Sequence, residues 1–437
     1  MKRLVASLAV ACFAGLLGAS VSPAEAVTKP SFVPGELVVG ERGGETRVVE
    51  VPPGVDTREA IAALEAEPGI RYANRNWIAS AALSPLDRGS SGEVGAWRSE
   101  QWSFLGRPGG VRATRAWDRA RGEGVTVAVV DTGIAYADPP EAPAGFARSP
   151  DFAPDQFVAG TDLVDGDQLP LDHNGHGTHV AGTIAEQVTL GEPAADADYL
   201  TGLAYGATLM PVRVLDASGT GTSEDVAAGV EWAARHDADV INLSLQFARK
   251  VRRCKQVRAL CKATRKAHQL GALVVAAAGN SAGRGKRRAL FPSAAPGVLS
   301  VAAATEHGCL AAYSHYGKGV GIIAPGGGRA RSEAARPRCR GDSKPVRQLS
   351  LDCFPDPCLS FDEFAIRSDL GTSMASAHAS GVAALVIASG AAGADPSPGA
   401  LRKRLLCTAR PAKPPRFYAA GLLDAARATR ARPCRSR

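Results

Sequence analysis

Four short segments carry side chains able to break an acyl bond. Asp131 stands in Val129-Val-Asp-Thr-Gly133, directly after the apolar run Val125 to Val130. His176 stands in Asn174-Gly-His-Gly-Thr-His-Val-Ala-Gly182, Asn280 in Ala277-Ala-Gly-Asn280, and Ser373 in Gly371-Thr-Ser-Met-Ala375. A histidine titrates near neutrality, so it can take a proton and return it. A serine hydroxyl beside such a base becomes a nucleophile. A carboxylate can orient the imidazole, and an asparagine amide can donate to a developing oxyanion.

Taken singly, each segment has a plainer reading. Asp131-Thr-Gly133 also suits a turn or helix cap. His173, His176 and His179 recur every third residue, as metal ligands do. Gly175 and Gly177 argue against a regular helix across all three, and no Glu completes a metalloprotease motif. Ser373 opens an apolar helix, where serine equally serves as a cap. Asn280 suits a left-handed turn. Gly279-Asn-Ser-Ala-Gly283 fits the G-x-S-x-G elbow of esterases, with Ser281 as nucleophile. That elbow must run directly into a helix, and the following Arg284-Gly-Lys-Arg-Arg288 and Phe291-Pro292 make a poor one. What joins the four segments is shared context. Each is flanked by glycine at a strand edge or helix start, in the order Asp, His, Asn, Ser.

The elements that must position these groups alternate. Val125 to Val130, Leu209 to Leu215, Val240 to Leu245 and Ala272 to Ala278 read as buried strands. His176 to Glu186, a segment from Ser223 to about His236, and Ser373 to Ile387 read as helices. Ser223 is expected to cap its helix, with Glu224 and Asp225 in the first turn. Such alternation implies an α/β fold with a mostly parallel sheet covered on both faces. In such sheets the active residues lie at the carboxyl ends of the strands. Upstream, residues 27–90 read as a small α+β unit. It has strands at Glu36 to Gly40 and Arg47 to Val51, a helix from Asp56 to Glu65, and a further strand that starts with Ile70 to Ala73. Ser84 to Gly95 reads as a linker. Residues 326–369, rich in Gly, Arg, Pro, Asp and Cys, read as an inserted, disulfide-tied loop.

The chain has 437 residues, 45% of them hydrophobic, and a formal net charge of +8. That length suggests more than one folded or processed piece. The cations are scattered and not interleaved with stacking aromatics, which excludes a nucleic-acid partner. Met1 to Ala26 has the positive start, short apolar run and Ala24-Glu-Ala26 site of an export signal. The run is too short for a stable anchor, and no later stretch of about 18 apolar residues follows. Removing Cys12 with that signal leaves eight cysteines, an even number that suits disulfides in an exported chain. Cys254 and Cys261 would lie roughly 10 Å apart on a continuous helix. They can therefore pair only if that helix starts after Cys254.

The four motifs together resemble the subtilisin-like serine proteases, the subtilases. The likeness extends over residues 100–430. Phe32-Val-Pro-Gly-Glu-Leu37 and Arg71-Tyr-Ala-Asn-Arg-Asn76 resemble a subtilase propeptide. The resemblance implies a three-layer subtilisin-like fold at 91–437, preceded by a signal peptide (1–26) and an inhibitor-like propeptide (27–90). It implies a secreted, or periplasmic or surface-held, serine endopeptidase made as a self-processing zymogen. Asp131, His176 and Ser373 would form the triad, with Asn280 in the oxyanion hole. Ser244-Leu245-Gln246 would line up protein or peptide substrates by strand addition. Gln246 replaces the usual glycine and is expected to narrow the cleft. Ala377 replaces the usual proline of the nucleophile helix. No cofactor is expected. Calcium is common in the family, and Asp196 and Asp198 offer ligands, but no spacing assigns a site. A monomer is expected. The rival readings are a non-catalytic binding protein on this scaffold and the Ser281 esterase.

Overall fold

The computed structural model describes residues 31–81, 97–187, 200–282, 288–331, 342–353, 360–412 and 414–434, with Cys339 and Cys358. The export signal, the 84–95 linker and Asp196 and Asp198 lie outside the described residues. Valine- and alanine-rich runs form the centre. The strands are β4 (Thr126–Asp131), β5 (Thr161–Asp162), β6 (Thr208–Arg213), β8 (Val240–Leu243), β10 (Leu273–Ala277), β11 (Leu299–Ala304) and β12 (Ile322–Pro325). They stand side by side in the order β12-β11-β10-β8-β4-β6-β5. Every pairing is parallel. Both faces are covered, which is why these strands read as continuous apolar runs.

Helix α3 (His176–Ala185) and α6 (Thr372–Ala388) pack on one face. Helices α4 (Ser223–Arg235) and α5 (Arg258–Gln269) pack on the other. From Thr372 to Val386 every residue of α6 is buried. Small side chains at Ala375, Ala377, Ala379, Ala383 and Ala384 let that helix sit inside the core. The order reverses at β4, whose two neighbours are β6 and β8. This is the switch point where a site forms beyond the strand ends. Asp131 is the last residue of β4, one position earlier in the element than its flanking pattern suggested.

The N-terminal part is built from β1 (Phe32–Glu41), β2 (Thr46–Glu50), α1 (Thr57–Ala66) and β3 (Ile70–Ala81), and the short helix α2 (Trp97–Glu100) comes next among the described elements. Asp56 caps α1, accepting from the backbone N–H groups of Arg58 and Glu59. Strand β3 starts at Ile70 as expected and runs on to Ala81. Its first part pairs antiparallel with β1. Its last part lies between two short strands of the larger unit, β7 (Thr220–Thr222) and β9 (Leu245–Phe247), antiparallel to both.

Two expectations need correction. The cap of α4 is Thr222, which accepts from Asp225 N–H, and not Ser223. Segment 326–369 is not only a loop. It holds an antiparallel hairpin of β13 (Val346–Leu351) and β14 (Phe364–Asp369). The cysteines pair as Cys254–Cys261, Cys309–Cys339, Cys353–Cys358 and Cys407–Cys434. The first bridge forms because α5 starts only at Arg258, after a 3-10 turn from Cys254 to Gln256.

Candidate active site

Asp131 and His176 meet at the switch point. His176 Nδ1 lies 2.6 Å from Asp131 Oδ1, and both side chains are fully buried. The close approach depends on two glycines. A Cβ on Gly177 would lie 2.0 Å from Gly133 O, and one on Gly133 would lie 2.4 Å from Leu171 O. With glycine at both positions, the first turn of α3 can press against the turn after β4.

A residue that the motifs did not single out holds this junction. Asp172 Oδ1 accepts from Thr132 Oγ1, Asn174 N–H and Gly175 N–H, each at 2.9 Å. Its Oδ2 accepts from Thr178 N–H at 2.9 Å and Thr178 Oγ1 at 2.6 Å. Thr132 Oγ1 accepts in turn from Gly177 N–H. The local signal was present: an Asp two residues before Asn-Gly suits a side chain bonding forward to its own backbone. Asp172→Ala strands five donors, four of them buried. The expected loss of stability is about 3 kcal/mol or more, read from denaturant melting.

Ser373 is the second residue of α6, not its cap; the cap position is Gly371, without a side-chain bond. Ser373 Oγ donates to Ser244 O at 2.9 Å. Ser244 Oγ donates back to Ser373 O at 3.0 Å. Asn242 Nδ2 donates to Ser244 Oγ at 2.8 Å, and Ser380 Oγ donates to Asn242 Oδ1 at 3.0 Å. These bonds tie the start of α6 to the ends of β8 and β9. Ala377 sits in a continuous, fully buried stretch of α6, where an alanine leaves the backbone ladder whole. His176 Nε2 is buried and makes no hydrogen bond. A serine to imidazole bond therefore needs a rotation of the Ser373 hydroxyl away from Ser244 O.

Asn280 is fixed by the same helix start. Its Oδ1 accepts from Thr372 N–H at 2.9 Å and Thr372 Oγ1 at 2.8 Å. Its amide NH2 therefore projects from the side opposite Thr372. Its own N–H donates to Gln246 Oε1 at 2.9 Å. Leu245 is buried and Gln246 half-buried, both in β9 beside the end of β3.

The electrostatics suit a proton acceptor. Burial alone would push the His176 pKa down. The charge and hydrogen bond of Asp131, helped by Asp369 and Asp172, hold it above its ordinary value. Asp369 comes from β14 and lies 3.7 Å from His179 Nε2. The hairpin braces α3 directly, with Ser350 Oγ donating to Gly175 O at 2.5 Å. The three histidines of the metal reading face different groups. His173 meets Arg213 and Phe361, His176 meets Asp131, and His179 meets Asp369. Ser281 of the esterase reading lies 3.3 Å from His315 Nε2. His315 Nδ1 bonds the carbonyl of Arg288, not a carboxylate.

Comparison with known proteins bears on this arrangement. The model of the subtilase family matches residues 122–421. Subtilisin Savinase of Lederbergia lenta is 33% identical over 322 residues, covering 73% of this chain and 96% of the relative. Thermophilic serine proteinase of Bacillus sp. (strain AK1) is 31% identical over 331 residues, 76% of this chain and 66% of that one. The chain thus spans about two thirds of the length of that longer relative. A solved protease of Pseudoalteromonas arctica PAMC 21717 superposes with a TM-score of 0.60 at 31% identity, covering 76% of this chain and 96% of that structure.

Proposed function

Since this chain belongs to the subtilase family of serine peptidases, we propose that it is an exported endopeptidase, made as a precursor that cuts itself. Ser373 attacks the scissile carbonyl and forms the acyl-enzyme bond. His176 Nε2 takes the hydroxyl proton and passes it to the departing amine. Asp131 holds the ring and stabilises its charged form. The Asn280 amide and the Ser373 N–H receive the oxyanion at the amino end of α6, where the helix dipole favours negative charge. Water then takes the place of the amine, His176 removes its proton, and the acyl bond breaks. Side chains handle every proton in this cycle.

The observation that carries the self-processing reading is the end of β3. Ile78, Ala79 and Ser80 pair with Thr222, Gly221 and Thr220, while Ala79, Ser80 and Ala81 pair with Phe247, Gln246 and Leu245. A substrate bound by strand addition would take the same place, with Ser244, Leu245 and Gln246 as one wall. The inhibitor is then the part of residues 27–90 that ends where β3 runs past Ala81, and the cut falls there. The Met1 to Ala26 signal supports export. Among the described residues no helix is long and apolar enough to cross a membrane.

A fluorophosphonate probe tests the reading against its rivals. The expected result is one adduct per chain, on Ser373 by peptide mapping. An adduct on Ser281 would support the esterase reading. No adduct on the matured protein would support the non-catalytic scaffold.

A further inference from the structure

A protease reads most closely the residue whose carbonyl it attacks. The register of β3 locates where that residue must sit. As β3 advances from Ala79 to Ala81, its partner in β9 runs back from Phe247 to Leu245. The next step leads to Ser244, whose carbonyl is bonded to Ser373 Oγ. A substrate on this track places its attacked carbonyl between Ser373 and Asn280. The attached side chain must then enter the gap between backbone 244–247 and backbone 278–280.

Gln246 crosses that gap. Its Oε1 holds Asn280 N–H at 2.9 Å. A Cβ added to Gly279 would lie 3.1 Å from the same oxygen and 2.8 Å from Leu290 Cδ1. So the far wall is already in contact with both side chains. A bulky side chain could enter only if Gln246 gave up its bond to the backbone N–H of the oxyanion segment. A second observation agrees. The residues of β3 that pair with β9 are Ala79, Ser80 and Ala81, all small.

From these two observations we propose that Gln246 restricts this enzyme to small acyl-side residues, namely alanine, serine and glycine, and turns away aromatic and long aliphatic ones. The proposal rests on the peptidase reading above.

The test uses the matured enzyme and peptides that differ only in the acyl-side residue, Ala against Phe. The wild-type kcat/KM is expected to favour Ala by about 10–100-fold. Gln246→Gly should shrink that ratio at least tenfold by raising the Phe rate. If that variant does not fold, the wild-type ratio still decides. A wild type that cuts Phe as fast as Ala overturns the proposal, as does a Gln246→Gly ratio equal to wild type. Fluorophosphonate labelling separates the two levels. A chain that labels at Ser373 but lacks the preference sinks the specificity alone. A chain that neither labels nor cuts sinks the peptidase reading with it.

Discussion

Ser373→Ala protein is expected to accumulate as the full precursor and to hydrolyse peptides about 10^6-fold more slowly, the usual loss when a triad serine is removed. The structure makes this a sharp expectation. Ser373 contributes its hydroxyl and little packing, because alanine fits the same buried site in a helix already rich in alanine. The variant forfeits the bond to Ser244 O but keeps the bond from Ser244 Oγ to Ser373 O, which still ties the helix start to this segment. Folding should therefore survive, and the end of β3 should stay between β7 and β9. Intact mass and N-terminal sequencing of the variant, beside the wild type from the same host, give the readout. Trace wild-type enzyme should trim the variant in trans. If Ser373→Ala arrives trimmed at the wild-type position without added protease, self-cleavage is wrong, whatever the serine does elsewhere.

The chemistry was legible in the sequence because each group sits in a backbone setting that only particular residues permit. Gly133 and Gly177 are required by contact, and they are what made the Asp131 and His176 motifs visible. The parallel sheet was legible because burial on both faces leaves unbroken apolar runs. The far end of β3 was not. Asn74 and Asn76 interrupt its apolar pattern because they serve other elements. Asn74 Oδ1 accepts from Arg258 N–H at the start of α5, and Asn76 Oδ1 accepts from Ser223 Oγ and Glu224 N–H at the start of α4. A polar residue that caps a helix of another unit looks like a loop residue in one dimension. The hairpin of β13 and β14 was hidden for a similar reason. Its inner face carries Gln348 and Ser350, which reach Gln101 and the backbone of Gly175. Leu349 and Ile366 form a cluster with Leu200, against which Trp97 packs. Polar residues on both strands spoil the alternation that marks a half-buried strand.

That hairpin also changes what surrounds the base. His176 is fully buried, and burial opposes its charged form. The net rise in its pKa comes from carboxylates on three separate segments: Asp131 on β4, Asp369 on β14 and Asp172 before α3. Activity that needs the neutral ring should fade as pH drops through a value above the ordinary histidine 6.5.

Asp131→Asn provides the decisive check on this account. Asp131 Oδ1 accepts two donors, Thr132 N–H at 2.8 Å and His176 Nδ1 at 2.6 Å. An amide oxygen can take that same place and keep both bonds. The amide nitrogen then falls where Oδ2 lies, a buried atom with no hydrogen bond. In that orientation the ring is still held, but the negative charge is gone. Burial then acts with weaker opposition, so the His176 pKa falls. The neutral base persists to lower pH, and the acid limb of kcat/KM moves in the acid direction. The rate on the plateau should fall by about 10^2–10^4-fold, because the imidazolium formed during attack has lost its counter-charge. The opposite amide orientation would place an N–H against Nδ1 and force the proton onto Nε2, where it blocks the serine. That state gives the larger loss. The measurement is a pH–rate profile of both proteins from about pH 4 to 10. A variant within threefold of wild type, or one whose acid limb stays in place, would show that Asp131 neither charges nor orients the base. A large loss with an acid-shifted limb would separate its electrostatic role from simple support of the ring.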